Sequence, residues 1–264
     1  MSEIDRRVVL KSVLNMRDLG GLPVAGGTMR SGQVYRSASL ANLSDADKPA
    51  FEQRNITTIF DLRTAGEASG APDVVPNGAR SFGLDVLADS PAAAAGNINE
   101  MLANPALLAD ALGGGKAAEM LTESYRDIVG LPSALSAYRS FFLSLADPNR
   151  GGAALFHCTT GKDRTGWAAA ALLTLLGATK ETVLADYLQT NTDLVPALQP
   201  LIDRAAAGGI DTELILPVLG VDESYLAAAF DEVTKRFGDM DGYFTRGLGL
   251  NPEHIAAIRA QFVA

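Results

Sequence analysis

The sequence predicts an α/β fold: a central, mostly parallel sheet of about four to five strands flanked by helices, followed by a helical C-terminal region. Two apolar runs predict buried strands, the β-branched residues 56–60 and residues 153–156 after a Gly-Gly pair. Helix-forming segments lie between the strand-like runs, an alternation typical of α/β proteins. With 264 residues, 47% of them hydrophobic, the chain can bury a substantial core, and we predict one domain over residues 1–264.

Short elements fill the N-terminal third. Residues 34–36 and 80–84 are predicted as further strands, and Ser44 as the N-cap of a helix that reaches Arg54. Arg17 and Asp18 are expected to form a structural ion pair. Asp61 and Arg63 follow the strand at 56–60, where strand ends border the ligand crevice of α/β sheets. They are expected either near that crevice or as a buried salt bridge with each other.

Helices dominate the remainder of the chain. Helical patterns cover residues 97–112, 117–129 and 133–146. Further helices are predicted from Thr179, as N-cap, to residue 190, and over residues 222–237, ending at Gly238. The last helix is predicted to begin at Asn251, as N-cap, with Pro252 at the first helical position.

Charge and residue counts exclude several classes of protein. A net charge of −9 argues against broad binding to nucleic acid or to anionic membranes. A single cysteine cannot form an intramolecular disulfide, and with only two histidines, His157 and His254, it cannot complete a cysteine/histidine zinc site. The chain shows no signal-peptide pattern and no run of 18 apolar residues, so the default expectation is a cytoplasmic protein without an integral membrane segment. Export without a signal peptide stays open.

The one cysteine, Cys158, lies at a tight turn between the strand at 153–156 and a strong helix-forming segment at 167–176. A helix N-terminus presents free backbone N–H groups and the positive end of the helix dipole, which together bind phosphate and stabilise a thiolate. Six residues later, the planar fork of Arg164 can hold two phosphate oxygens. Gly161 allows the turn to curl, and Thr165 can bring a hydroxyl beside the sulfur.

The string from His157 to Gly166, His-Cys-Thr-Thr-Gly-Lys-Asp-Arg-Thr-Gly, resembles the signature of the protein tyrosine phosphatase superfamily. It is similar to a bacterial branch that also carries an N-terminal Asn-x-Arg-Asp-Leu-Gly-Gly, which stands here at residues 15–21. Two matching elements roughly 140 residues apart make a chance match improbable. The resemblance implies the phosphatase fold and a phosphomonoester hydrolase that needs neither metal nor cofactor.

The resemblance also assigns roles within the signature. Cys158 is the expected nucleophile, and the guanidinium of Arg164 the expected charge clamp. His157 is expected to hold the loop rather than act as a base. The expected substrate-binding positions are Thr159, Thr160, Gly161, Lys162, Thr165 and, through its hold on the loop, His157. The general acid stays open: Asp85, which follows a predicted strand and matches the acid position of the resembled branch, is the first choice, Asp163 the second and Asp61 the third.

Lys162 and Asp163 bear on the substrate, because phosphoinositide phosphatases of the superfamily carry such charged residues in this loop. The expected substrates are phosphotyrosine proteins, with phosphoserine, phosphothreonine and phosphoinositides as extensions. Residues 192–219, with Gly208 and Gly209 as hinge, are a candidate helical lid, although simple core packing explains them equally well. Two alternatives remain: an inactive phosphate-binding module, and a rhodanese-like sulfur transferase, against which Arg164 and the N-terminal element argue.

Overall fold

The computed structural model describes residues 5–91, 114–209 and 211–264. Its central feature is a five-stranded sheet with the strand order β1-β4-β7-β5-β6, and a separate hairpin pairs β2 with β3. Strands β4, β7, β5 and β6 run parallel, while β1 is antiparallel to β4. The strands are β1 Arg17–Asp18, β2 Pro23–Val24, β3 Gly27–Thr28, β4 Val34–Ser37, β5 Ile56–Asp61, β6 Arg80–Gly83 and β7 Ala153–His157.

The predicted mostly parallel α/β fold is confirmed. Strand β7 is buried along its whole length because its apolar residues face helices on both sides, as expected of a central parallel strand. Its last residue, His157, is in register with Ser37 of β4 and with Asp61 of β5. Three strand ends therefore meet at one edge of the sheet, and the chain leaves β7 at that edge.

The helices surround the sheet and then continue into the C-terminal region. They are α1 Lys48–Gln53, α2 Ala65–Gly70, α3 Lys116–Gly130, α4 Pro132–Ala146, α5 Asp163–Leu175, α6 Lys180–Leu194, α7 Gln199–Ala207, α8 Thr212–Leu219, α9 Glu223–Phe237, α10 Met240–Gly242 and α11 Pro252–Phe262. A 3₁₀ turn, Val195–Leu198, precedes α7, and a π-helical turn, Tyr243–Gly247, follows α10. Thr179 and Asn251 are N-caps as predicted, each accepting a backbone N–H three residues on.

Helix α5 runs through the core. Nearly every residue from Thr165 to Leu175 is buried, because the alanine and leucine side chains pack on all sides of the helix. Trp167 packs edge-on against Phe230 and Tyr243. Close packing on all sides therefore fixes the position of α5, including its first turn, which directly follows the cysteine turn.

The first predicted helix begins later in the chain than expected. The helix predicted from Ser44 begins at Lys48, because Ser44 heads a preceding turn that accepts the N–H of Asp47. The helix predicted at 97–112 lies outside the described residues. In the candidate lid, α7 and α8 pack through Ala205 and Ile215 onto Ala117 of α3, while lid closure stays a prediction.

In the part of the chain that the structure describes, no single helix is long and apolar enough to cross a membrane. The pair α3 and α4, bent by 58° at its junction, passes the same test of length and composition only when its two helices are taken together.

Candidate active site

The turn between β7 and α5 forms the floor of the site. Cys158 follows β7 directly and is almost fully buried, and Asp163 begins α5. Gly161 adopts a φ of +71°, and a Cβ built there would lie 2.3 Å from the carbonyl oxygen of Ser37. Only glycine fits this position, because both the backbone conformation and the close approach to β4 exclude a side chain.

Side chains from the N-terminal part of the chain hold the outer side of this turn. Asn15 Nδ2 donates to the carbonyl oxygens of Thr160 (3.2 Å) and Gly161 (3.0 Å), and Arg36 Nη2 donates to the same Gly161 oxygen (2.9 Å). In a trans peptide the N–H points opposite to the C=O. Binding these carbonyls on the outside therefore turns the N–H groups of the same peptide units to the inside, where an anion can be bound.

A buried carboxylate holds those N-terminal donors in place. Asp186 of α6 accepts from Arg6 Nη1 (2.9 Å), Arg17 Nε (3.2 Å) and Arg36 Nη1 (2.8 Å). Burial raises the pKa of Asp186, but the three guanidinium groups outweigh burial and hold it well below its ordinary value. Arg17 in turn donates to Asn15 Oδ1 at 2.5 Å. Asp186 thus holds Arg36 directly, and it holds Asn15, the residue of the N-terminal motif that binds the signature turn, through Arg17.

The expected ion pair between Arg17 and Asp18 is wrong. Arg17 is directed to Asp186, whereas the Asp18 carboxylate accepts the backbone N–H groups of Gly20 and Gly32. Neighbouring residues of a strand point to opposite faces, so the two side chains cannot meet.

A second network braces the base of the turn. His157 Nδ1 lies 3.1 Å from the carbonyl oxygen of Cys158, and Nε2 lies 2.9 Å from Asp73 Oδ2. Arg63 Nη2 bridges Asp61 (2.7 Å) and Asp73 (2.9 Å), so Asp61 and Arg63 are the buried salt bridge that was one of their two expected arrangements. His157 accordingly occupies a bracing position.

The same network contains a candidate metal-binding set. The donor atoms of Asp61, Asp73 and His157 lie within 4.8 Å of one another. However, Arg63 already places a positive charge between the two carboxylates, where a cation would have to bind. We therefore assign no metal to these residues.

Arg164 has a partner that sequence reasoning missed. Its Nη1 and Nη2 donate to the two carboxylate oxygens of Glu67 at 2.6 and 2.8 Å, and Thr159 Oγ1 donates to Glu67 Oε1. Burial raises the pKa of Glu67, but these contacts outweigh it and keep the pKa well below its ordinary value. The only sequence signal is the capping box that Glu67 forms with Thr64 at the start of α2. That pattern predicts a helix start and says nothing about Arg164.

Replacing Glu67 by glutamine is expected to lower kcat/KM for p-nitrophenyl phosphate by about 10- to 100-fold, the worth of hydrogen bonds to a charged group. The neutral amide cannot accept from both guanidinium nitrogens, so Arg164 becomes mobile. Steady-state kinetics measure the effect, and Glu52→Gln on exposed α1 is the matched control. Equal kinetics for both variants would contradict this role.

The candidate acids have different surroundings. Asp85 Oδ2 accepts the backbone N–H of Ala65 (2.9 Å) and Oδ1 that of Leu87 (3.1 Å). Its hydrogen bonds thus join the start of α2 to the following loop, and among the described residues none reaches the signature turn. Asp163, in contrast, lies in the first turn of α5 beside Arg164 and keeps 23% of its side chain exposed.

Two further predicted site residues are buried. Lys162 Nζ donates to Asp163 Oδ1 and to the carbonyl oxygen of Gly220, both at 3.1 Å, so its charge is directed towards the C-terminal region. Thr165 Oγ1 is buried and has no hydrogen-bond partner in residues 5–91, 114–209 and 211–264. Among these residues it therefore forms no hydrogen bond with Cys158, and its position beside the sulfur stays a prediction.

The amino-acid sequence of this chain is similar to those of known phosphatases. The profile described as "Tyrosine phosphatase family" matches residues 8–264. A candidate tyrosine-protein phosphatase of Cupriavidus necator is 32% identical over 96% of this chain and 87% of its own length. The triple specificity protein phosphatase PtpB of Mycobacterium tuberculosis is 29% identical over 95% and 96%, and a tyrosine-protein phosphatase of Nostoc commune is 32% identical over 86% and 72%.

Proposed function

The chain belongs to the tyrosine phosphatase family, and from that premise we propose that it dephosphorylates phosphotyrosine proteins through a phosphocysteine intermediate on Cys158. Protein tyrosine phosphatase activity is the activity of the family. The intermediate, the roles of individual residues and the range of substrates are the proposal.

The orientation of Arg164 is the observation that carries the proposal. Glu67 binds the guanidinium from its end, through Nη1 and Nη2. Among the described residues Nε has no hydrogen bond, which leaves the side of the guanidinium, formed by Nε and the outer N–H of Nη2, for a phosphate. Arg164 is therefore oriented before a substrate binds, next to a thiol held at the floor of the same turn.

The chemistry follows in two steps. The Cys158 thiolate attacks phosphorus, an S–P bond forms, and the P–O bond to the tyrosine oxygen breaks while that oxygen takes a proton from an acid. Backbone N–H groups of residues 159–164 and the Arg164 guanidinium stabilise the charge on the equatorial oxygens. Water then attacks the phosphocysteine and returns a proton to the acid as the S–P bond breaks. In this scheme no metal or cofactor is required.

We assign the proton transfer to Asp163 rather than to Asp85, the first choice from the sequence. Asp85 Oδ2 accepts the backbone N–H of Ala65 at the start of α2, the helix that carries Glu67, and Oδ1 accepts the backbone N–H of Leu87 in the following loop. Asp85 would have to leave both partners to act as an acid. Asp163 is adjacent to Arg164 in sequence and partly exposed, which supports its assignment.

Phosphotyrosine is the proposed preferred substrate, with phosphoserine, phosphothreonine and phosphoinositides as further substrates. The name of the Mycobacterium relative, a triple specificity phosphatase, supports a broad range. Lys162 is less available to bind the ring phosphates of a phosphoinositide than the sequence suggests. Its ammonium group donates to the carbonyl oxygen of Gly220 and would have to break that hydrogen bond to reach a phosphate. We therefore expect phosphoinositide turnover to be slower than that of phosphotyrosyl peptides.

The test is to quench the full-length protein with acid during turnover of a phosphotyrosyl peptide, digest it and locate the phosphate by mass spectrometry. An acid-stable phosphate on Cys158 supports the proposal. Turnover without a phosphate on that peptide contradicts the intermediate, and no turnover of the peptide contradicts the function. Parallel assays with phosphoseryl peptides and phosphatidylinositol phosphates measure the substrate range.

A further inference from the structure

Two buried tyrosines that belong to neither sequence motif point towards Asp163. The hydroxyl of Tyr125 on α3 lies 3.0 Å from Asp163 Oδ1, and the hydroxyl of Tyr187 on α6 lies 2.6 Å from that of Tyr125. Both side chains are buried within the core. We propose that Tyr187 and Tyr125 form a directed hydrogen-bond relay that positions Asp163 for proton transfer. The inference rests on the proposed function, in which Asp163 is the acid.

The direction of the relay follows from counting protons. A tyrosine hydroxyl has one proton to donate, and a carboxyl oxygen that carries no proton, here Oδ1, only accepts. Because Tyr125 donates to Asp163, the contact between the two hydroxyl groups must be donated by Tyr187. Burial, with the neighbouring Asp163 carboxylate second, raises the pKa of each tyrosine well above its ordinary value. Both protons therefore stay on the hydroxyl groups, and the relay holds its direction.

The donors also distinguish the two oxygens of Asp163. Oδ1 accepts from Tyr125 and from Lys162 Nζ (3.1 Å), whereas Oδ2 has no hydrogen bond in the part of the chain that the structure describes. A carboxyl oxygen that already accepts two hydrogen bonds is a poor place for a proton. We therefore assign the exchanged proton to Oδ2. It passes to the leaving oxygen as the P–O bond breaks and returns from water as the S–P bond breaks.

Gly166 of the signature sequence packs against the ring of Tyr187. A Cβ at Gly166 would lie 3.1 Å from two ring carbons of Tyr187, so the glycine makes room for that ring. The rings of Tyr125 and Tyr187 meet edge to face at 87°, an arrangement favoured for aromatic pairs. The two hydroxyl groups are thus fixed by the core. Neither tyrosine touches the reacting atoms in the proposed scheme, and both are positioning residues.

The test is Tyr125→Phe, which removes only the hydroxyl group. Kinetics are measured with phenyl phosphate, whose leaving group needs a proton, and with p-nitrophenyl phosphate, whose leaving group needs it less. We expect kcat/KM, which reports the step in which the leaving group departs, to fall about tenfold for phenyl phosphate and less than about threefold for p-nitrophenyl phosphate. Equal losses with both substrates would overturn the relay, since a structural defect does not depend on the leaving group.

A double-variant cycle separates positioning from packing. In an Asp163→Asn background, Tyr125→Phe is expected to cause no further loss of kcat/KM for phenyl phosphate, because the group it positions is already gone. A full additional loss there would contradict the inference. Tyr243→Phe is the matched control: this fully buried hydroxyl accepts from Trp167 Nε1 at 3.0 Å, away from Asp163. It should keep the wild-type dependence on the leaving group.

A second variant covers the case in which Tyr125→Phe does not fold, and the wild-type activity separates failure of the relay from failure of the proposed function. Should Tyr125→Phe lose its native circular dichroism spectrum, Tyr187→Phe carries the same test one step further along the relay, with the same expected selectivity for phenyl phosphate. Wild-type protein without turnover of either substrate would contradict the proposed function itself. Normal wild-type turnover together with unselective losses in the tyrosine variants contradicts only the relay.

Discussion

Replacing Cys158 by serine is expected to lower phosphatase turnover by roughly 10⁴-fold or more, the scale of losing a covalent nucleophile. The serine hydroxyl is far harder to ionise than a thiol, so it is a much weaker nucleophile in the same position. The replacement is small and the site is buried, so the fold should be retained.

Binding should survive this substitution. The N–H groups of the turn and the guanidinium of Arg164, held by Glu67, remain in Cys158→Ser. We therefore expect the variant to bind a phosphotyrosyl peptide in titration calorimetry while releasing no phosphate. Residual turnover above about one hundredth of the wild-type rate would contradict the assignment of Cys158 as nucleophile.

Replacing Asp186 by asparagine is expected to lower the free energy of unfolding by about 3–5 kcal/mol, the usual cost of removing one partner from a buried ionic cluster. Among the described residues, the variant leaves the fully buried Arg36 without its countercharge and the fully buried Arg17 with only the Asp193 carboxylate, 3.6 Å away. Urea denaturation followed by circular dichroism measures the change. Asp45→Asn is the control, since Asp45 forms an exposed pair with Lys48, and its effect on the free energy of unfolding should be far smaller than that of Asp186→Asn.

The pH dependence gives this prediction a second check. The pKa of Asp186 is depressed in the folded state, so its contribution to stability is present above the ordinary aspartate pKa of about 3.9 and is lost as the pH falls below it. The stability difference between the wild type and Asp186→Asn should therefore narrow as the pH is lowered below about 4. A difference that stays constant through this range would contradict an ionic role.

Local sequence patterns were sufficient for the elements next to Cys158. The apolar run of β7 and the alanine- and leucine-rich run of α5 predict a strand and a helix wherever they lie, because each depends on neighbours a few residues apart. Gly161 was predicted to curl the turn, and its φ of +71° agrees. The register that places Asp61 beside His157 was likewise accessible from the rule that parallel strand ends share one edge.

Partners distant in the chain were not accessible in this way. Glu67 and Arg164 are 97 residues apart, and Asn15 and Gly161 are 146 residues apart. No periodicity links such pairs. The expected pairing of Arg17 with Asp18 failed for the same reason: adjacency in sequence suggested a contact, whereas the strand turns the two side chains to opposite faces. Asp85 was placed correctly after a strand, but its backbone partners were invisible.

The amino-acid sequence by itself determined the α/β class and the strand–turn–helix around Cys158, and it supplied the residues of the proposed anion site, because these follow from local backbone preferences and from the chemistry of residue types. The tertiary structure alone decided how that turn is held. Asn15 and Arg36 bind its carbonyl oxygens, and Asp186 holds Arg36 in place. Glu67 binds Arg164, and a pair of tyrosines reaches Asp163 through Tyr125. The physical reason is that a buried polar group needs a partner, and which partner reaches it depends on how the strands and helices pack.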